Sequence, residues 1–227
     1  MPLVSASTIL VMAKEPQPGR VKTRLCPPCT PAQAADIAAA ALTDTLHAVT
    51  AAGAGQVVLA LDGDPSFWVP EGVNLIAQRG GAFSERLANA WDDVGGPAIQ
   101  VGMDTPQITS ELLIDALVAL HQPETGAVLG PAEDGGWWLL GLRAADRRVF
   151  DNIAMSRPDT GAQQLGRLRQ LELAPKVLPT LRDIDTFADA QLVTASMLAT
   201  ATATAAAVAA VTAEAAMAIY QADRAAV

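Results

Sequence analysis

At 227 residues and 51% hydrophobic content, the chain is long enough to bury one sizeable core and falls in the upper part of the usual single-domain range. A formal net charge of −9 argues against nucleic acid or an anionic membrane as partner, because either would need a large basic face, although a small anion can still bind locally. No charged-then-apolar leader opens the chain, so the cytoplasm is the expected compartment.

The first element is the run Thr8-Ile9-Leu10-Val11-Met12. Its β-branched members and the Pro/Gly stop that follows give it the character of a buried strand of a parallel sheet. The loop after it, Ala13 to Leu25, holds Lys14, Arg20, Lys22 and Arg24, four of only 15 Lys+Arg in the chain. Such a loop leaves the C-terminal end of a strand, where open α/β sheets bind their ligands. Gly19 lets backbone N–H groups approach an anion without a Cβ in the way. A triphosphate is the guest this concentration of charge suits. Neither a Walker A loop nor a Gly-x-Gly-x-x-Gly fingerprint is present, and a solvated basic loop is the competing reading.

Cys26 and Cys29 form a Cys-Pro-Pro-Cys. A closed zinc site needs a second pair of ligands, and His47 and His121 lie far off in sequence. The spacing suits a redox disulfide, but it follows a basic loop instead of opening a helix, so an incidental loop role is expected.

Thr30-Pro31 predicts a helix start, and Ile37, Ala41, Leu42, Thr45, Leu46 and Val49 continue it from Ala32 to Ala52. Residues 56–61 form a second buried strand, 74–77 a short third, and 83–94 a helix. A strand over 97–102 then delivers Asp104 to the same edge as the basic loop, and a helix follows over 108–120. Ala127 to Gly130, the acidic turn Pro131 to Gly136, and Trp137 to Leu142 read as strand, turn and strand. A helix over 159–173, a short strand over 176–178 and a final packed helix after Asp185 complete the body. Repeated β-α units of this kind give a three-layer α/β/α sandwich.

Alone, Asp104 before Thr105-Pro106 reads as a turn residue. Asp185, in Asp183-Ile184-Asp185-Thr186, changes that balance. Thr186 and Asp189 have capping-box spacing, which leaves Asp185 free to meet a ligand and Asp183 either behind it or in solvent. Two carboxylates from separate strand ends repel without a cation, and Mg²⁺ needs only one or two carboxylates beside phosphate oxygens. Asp104 and Asp185 are therefore the expected ligands of Mg²⁺ or Mn²⁺, which two carboxylates do not distinguish.

Four motifs, Ala13-Lys14-Glu15-Pro16 through Lys22-Thr23-Arg24-Leu25, Gly102-x-Asp104-x-Pro106, Pro131 to Gly136 and Asp183-Ile184-Asp185-Thr186, together resemble the bacterial radical-SAM/selenodomain-associated transferases. These are glycosyltransferase-like members of the nucleotide-diphospho-sugar transferase superfamily. The resemblance covers roughly Ser7 to Leu192 and implies a GT-A fold with a mostly parallel, mixed sheet. It also implies that the first strand and basic loop hold the nucleotide, that Asp104 and Asp185 hold a metal, and that Gln78 to Leu87, with Gln78 and Arg86, lies near base and ribose. Ala154-Met155-Ser156-Arg157 stands where the family has Trp-Ser-Thr, and Trp137-Trp138 where it has Tyr, which puts transfer of its acceptor choice in doubt.

Two reactions follow. Nucleotidyl transfer from an NTP to a phosphorylated small molecule would use Lys22 and Arg24 against the β- and γ-phosphates and needs no general base. Sugar transfer from an NDP-sugar to an alcohol would need a carboxylate base, which Glu133 or Asp134 could supply. Four cations exceed what a diphosphate requires and favour the first. A nucleotide-binding protein without catalysis is the third reading. For the acceptor, Gly135 and Gly136 allow close backbone approach and Arg157 offers an anion contact. The two tryptophans of one strand point to opposite faces, so one is core and one lines the acceptor pocket. Periodicity does not say which, and Trp138 is assigned to the acceptor.

Ala190 to Ala213 contains no charged residue, but Ala and Thr dominate it, so it reads as a long packed helix and not as a membrane span. Residues 1–192 thus form the transferase domain and 193–227 a helical extension. Small side chains on that helix suit close contact with the body or with a second copy of the chain.

Overall fold

The run after Ser7 forms β1 (Thr8–Lys14), and the unbroken apolarity of its Ile9 to Ala13 stretch has a direct cause. Ile9, Val11 and Ala13 enter one hydrophobic cluster while Leu10 and Met12 enter another on the opposite face, so no position is left for a polar side chain. The computed structural model describes residues 4–197 and 202–225. It adds β2 (Gln56–Asp62), β3 (Val73–Ala77), β4 (Ala98–Gly102), β5 (Ala127–Pro131), β6 (Trp137–Leu142) and β7 (Pro175–Val177). These make one sheet of order β3-β2-β1-β4-β6-β5-β7. β6 runs antiparallel to β4 and β5, and the remaining pairings are parallel.

Helices α1 (Pro31–Ala51) and α3 (Ser110–Leu120) cover the face that contains Ile9, and α2 (Phe83–Val94) and α4 (Thr160–Gln170) cover the other. The expected α/β/α sandwich with a mostly parallel, mixed sheet is the observed fold. Thr30 starts α1 as its sequence predicts: the hydroxyl accepts from the Gln33 amide, the Gln33 side chain accepts from the Thr30 amide, and Pro31 stands first in the helix. Thr186 and Asp189 make the same reciprocal cap for α5 (Phe187–Ser196).

The single long C-terminal helix is not observed. Residues 198–201 lie outside the described set. On one side of them Met197 leaves α5 in an extended conformation, and on the other α6 (Ala203–Ala225) begins afresh. Asp44 of α1 accepts from the amides of Ala203 and Thr204 at 3.0 and 2.8 Å, satisfying N–H groups that a helix start leaves open. Val208 and Val211 of α6 then join Leu25, Cys29, Ile37, Ile184 and Val193 in a third hydrophobic cluster. Among the described residues no helix is long and apolar enough to cross a membrane.

Candidate functional site

β1 has β2 on one flank and β4 on the other, so the direction of strand order changes between β1 and β4. Such a switch opens a crevice at the C-terminal strand ends. Lys14 closes β1 and Met103-Asp104 follows β4 at this point, joined by a contact from the Lys14 amide to the Met103 sulfur at 3.2 Å. A cavity of about 690 Å³ opens there, and a smaller one of about 280 Å³ adjoins it through Lys14, Arg24, Asp104 and Asp185.

The basic loop is anchored at its start. Glu15 is buried, and its carboxylate accepts from the Asp64 amide at 3.0 Å and the Ser66 hydroxyl at 2.8 Å, both in the loop after β2. These bonds hold its pKa below the ordinary glutamate value, and Arg20 adds to the lowering. Lys22 sits in the left-handed region at φ 47°, ψ 37°, which turns its long side chain inward. Its Nζ lies 3.0 Å from Asp104 Oδ1 and 3.6 Å from Asp185 Oδ1, and donates to the Ile184 carbonyl. The Lys22 side chain is only 10% exposed. Burial works against its charge, but Asp104, Asp185 and Asp183 outweigh that and raise its pKa above the usual lysine value. Arg24 stays 75% exposed, with Nη1 3.3 Å from Asp185 Oδ2.

The two acidic segments are tied through the backbone, since the Ile184 amide donates to the Asp104 carbonyl at 2.9 Å. In the extended Asp183-Ile184-Asp185, alternation puts both carboxylates on the cavity side and Ile184 in the third cluster. Asp183 accepts from the Thr105 hydroxyl. Burial pushes its carboxyl up to about 6; Asp104 and Asp134 add to the rise, while Thr105 and Lys22 oppose it. Sequence reasoning left Asp183 behind its neighbour or in solvent, and the alternation was the signal that could have brought it forward.

Gln78 and Arg86 line the large cavity from the β3–α2 side. The Gln78 amide nitrogen donates to the Ala13 and Ala60 carbonyls at 2.8 and 3.0 Å, which fixes the carboxamide against the ends of β1 and β2. Arg86 pairs with Asp62 at 2.8 Å and lies over the exposed Phe83 ring.

The opposite wall holds Asp134, Gly136, Trp137, Met155 and Arg157. The acidic turn is pinned from behind. The Gly161 amide donates to the Gly135 carbonyl at 2.7 Å, and Gly135, at φ +89°, stands where a Cβ would lie 1.8 Å from the Pro158 carbonyl oxygen. Gly135 therefore shapes the turn and does not line the cavity. Asp134 accepts from the Gly136 amide at 2.8 Å and remains exposed. Glu133 lines neither cavity, because Arg182 holds it in an ion pair while also bonding Asp189. Gly19 supplies the turn of the basic loop at φ +74° and also lies outside both linings. Trp138 touches the cavity but is 2% exposed, with its indole N–H donating to the Pro179 carbonyl at 3.0 Å. The half-exposed ring is Trp137, on the sheet face that Trp138 does not occupy. Cys26 and Cys29 are free thiols against the third cluster, where burial pushes Cys29 above the ordinary thiol range.

The donor chemistry of this edge fits a hard divalent cation. The Lys22 ammonium already stands as a positive charge between Asp104 and Asp185, so the gap between them selects a cation. Among the described residues no group of three or more His, Cys, Asp and Glu stands in metal-holding geometry. An ion here would therefore take most of its shell from ligand oxygens and water, as Mg²⁺ does.

The fold matches that of α/β structures assigned as nucleotide-diphospho-sugar transferases. The crystal structure of a Desulfovibrio desulfuricans G20 protein, provisionally assigned as a nucleotide-diphospho-sugar transferase, superposes with a TM-score of 0.80 at 27% identity, covering 91% of this chain and 95% of that one. A nucleotidyl transferase from Methanothermobacter thermautotroptrophicus shares the fold at a TM-score of 0.54 and 14% identity, covering 86% and 99%. Rv0371c from Mycobacterium tuberculosis H37Rv does so at 0.51 and 23%, covering 84% and 99%. No curated protein sequence matches the chain. The chain belongs to the family described as "Uncharacterized protein conserved in bacteria (DUF2064)", whose model matches residues 37–157. That span includes Asp104 and Asp134 but not the basic loop or Asp185.

Proposed function

We propose that the protein is a cytoplasmic, metal-dependent nucleotidyltransferase of the radical-SAM/selenodomain-associated branch, which moves a nucleotidyl group from an NTP to a phosphorylated small molecule. The observation that carries this reading is the second cavity. It adjoins the carboxylate pair and is lined by Lys14, Arg20, Lys22 and Arg24, a charge suited to a phosphate tail beyond the α-phosphate. In this reading the nucleoside lies toward Gln78 and Arg86 in the large cavity and the acceptor toward Trp137 and Arg157. An oxygen of the acceptor phosphate attacks the α-phosphorus, the bond from that phosphorus to the bridging oxygen of the β-phosphate breaks, and pyrophosphate leaves. A phosphate nucleophile is already ionised at neutral pH, so no side chain has to take its proton.

Mg²⁺ or Mn²⁺ held by Asp104 and Asp185 would neutralise charge on the reacting phosphates. Arg24 and Lys14, both at the mouth shared by the two cavities, would orient the tail and stabilise the leaving pyrophosphate. Asp134, exposed on a rigid turn, supports the second reading, in which an NDP-sugar donates to an alcohol and this carboxylate takes the hydroxyl proton. The likeness to the Desulfovibrio protein supports that version as well.

A thermal-shift panel of NTPs and NDP-sugars, each with and without Mg²⁺ or Mn²⁺, separates these readings. Nucleotidyl transfer predicts metal-dependent stabilisation by an NTP that Asp104→Ala abolishes, and pyrophosphate release once the acceptor is supplied. Stabilisation by NDP-sugars alone would replace it with sugar transfer. Nucleotide binding without turnover of any donor would leave a binding protein.

A further inference from the structure

We propose that Lys22 is a place-holder cation, filling the gap between Asp104 and Asp185 while no nucleotide is bound and giving it up to a divalent ion only when a phosphate chain offers the lysine a new partner. The inference rests on the reading of Asp104 and Asp185 as metal ligands.

An ammonium has three N–H donors. Lys22 has three oxygen partners at this place: it pairs with Asp104 Oδ1 at 3.0 Å and, at ion-pair distance, with Asp185 Oδ1 at 3.6 Å, and it donates to the Ile184 carbonyl. Its ammonium stands between both carboxylates and its side chain is 10% exposed, so it is a resident of the gap and not a surface charge passing over it. Carboxylate oxygens bind Mg²⁺ at about 2.0–2.1 Å. An ion bridging the two carboxylates would need the space the Nζ occupies, so the two cations exclude one another.

The surroundings provide the exchange. Arg24 holds the outer oxygen of Asp185 from solvent, 75% exposed, and does not enter the gap. The smaller cavity begins beside Lys22 and carries Lys14, Arg20 and Arg24. Phosphates seated there stand within reach of the lysine and replace the carboxylates as its anionic partner. Lys22 is also a non-glycine residue in the left-handed region, at φ 47°, a conformation that a modest change of loop geometry relaxes. The consequence is an order of binding: the bare protein resists free divalent ions, and the gap opens to one when the nucleotide arrives.

Mn²⁺ alone is the probe, titrated by electron paramagnetic resonance against wild-type protein, Lys22→Met and Lys22→Arg, with thermal melts of each. Lys22→Met is expected to bind Mn²⁺ at least tenfold more tightly than wild type and to melt lower than wild type until Mn²⁺ restores it. Lys22→Arg, which keeps a cation in the gap, is expected to stay within about threefold of wild type, given that arginine retains the charge. Equal Mn²⁺ binding by wild type and Lys22→Met would overturn the place-holder and leave the metal reading intact. If Mn²⁺ binds none of the three, even beside a mixture of the four NTPs, both ideas fall. Should Lys22→Met not fold, wild type alone decides: the four-NTP mixture must raise its Mn²⁺ affinity at least tenfold, and tight binding of Mn²⁺ without nucleotide overturns the proposal.

Discussion

Trp137 and Trp138 are neighbours of one chemical type with different work to do, and their surroundings say how each responds to truncation. Trp138 is 2% exposed and donates its indole N–H to the Pro179 carbonyl, so Trp138→Ala removes a packed ring and orphans a carbonyl. It should cost about 3–5 kcal/mol in urea unfolding. Trp137 is half-exposed on the cavity wall, and Trp137→Ala should cost under about 1.5 kcal/mol, since less of its area leaves water on folding. If the proposed transfer is the reaction, its effect is expected in turnover assays instead, as a raised KM for the acceptor with donor affinity unchanged. Equal stability losses would mean that the rings share the core. The pair also shows what the sequence could and could not tell. Strand alternation predicted one ring inward and one toward the ligand, but which face carries the ligand depends on the order of strands in the sheet. Lys22 is a similar case. Its positive charge in a basic loop was plain, but its pairing with Asp104 and Asp185 and its bond to the Ile184 carbonyl arise from a left-handed turn and from chain segments more than 80 and 160 positions away.

Among the elements, the basic loop is the piece whose placement the sheet does not enforce, and Glu15 supplies the tie. The carboxylate receives the Asp64 amide and the Ser66 hydroxyl, which joins the loop after β1 to the loop after β2. Because these bonds favour the ionised form, the pKa of Glu15 is depressed on folding. A depressed carboxylate contributes stability that is present above the unfolded value near 4.5 and is lost as pH falls through the folded value. Glu15→Gln should therefore lower the urea midpoint at pH 7, and the gap from wild type should close as the pH is taken well below 4.5. A gap that stays constant with pH would assign the effect to packing and not to charge. The strands and helices themselves were legible, because β1, β2, β4, β5 and β6 are buried runs with sharp Gly or Pro boundaries and α1 and α5 carry their caps in plain sequence. The C-terminal break was not. Ala and Thr continue without a Gly or Pro between Ser196 and Ala203, so nothing local marks the end of α5, while the start of α6 is capped both by Thr202, whose hydroxyl accepts from the Ala205 amide at 3.1 Å, and by Asp44, about 160 positions earlier.

At the scale of the whole molecule, α6 and the candidate site share one piece of core. Val208 and Val211 pack in the cluster that also contains Leu25 and Ile184. Leu25 follows Arg24, and Ile184 separates Asp183 from Asp185, so the apolar residues beneath the site are covered in part by the last helix. We propose a division at residues 1–192 and 193–227 for the chain as a functional matter, but this packing gives the extension a role in the body. It also spends the buried face of α6 on α1 of the same chain, where Gln33 bonds Glu214 at 2.7 Å; a second copy of the chain would have to dock on another part of α6. Deleting residues 198–227 uncovers the cluster. Loss of the two buried valines alone should cost about 3–5 kcal/mol. Because Leu25 and Ile184 then lose their cover, the loss should reach the site as well, with the metal-dependent NTP shift reduced more than the drop in melting temperature accounts for. Hydrogen exchange would separate the two effects: faster exchange confined to α1 would mark α6 as a brace for that helix, whereas faster exchange at Arg24 to Cys29 and Ile184 to Asp185 would show that it holds the residues proposed to bind metal and phosphate in place.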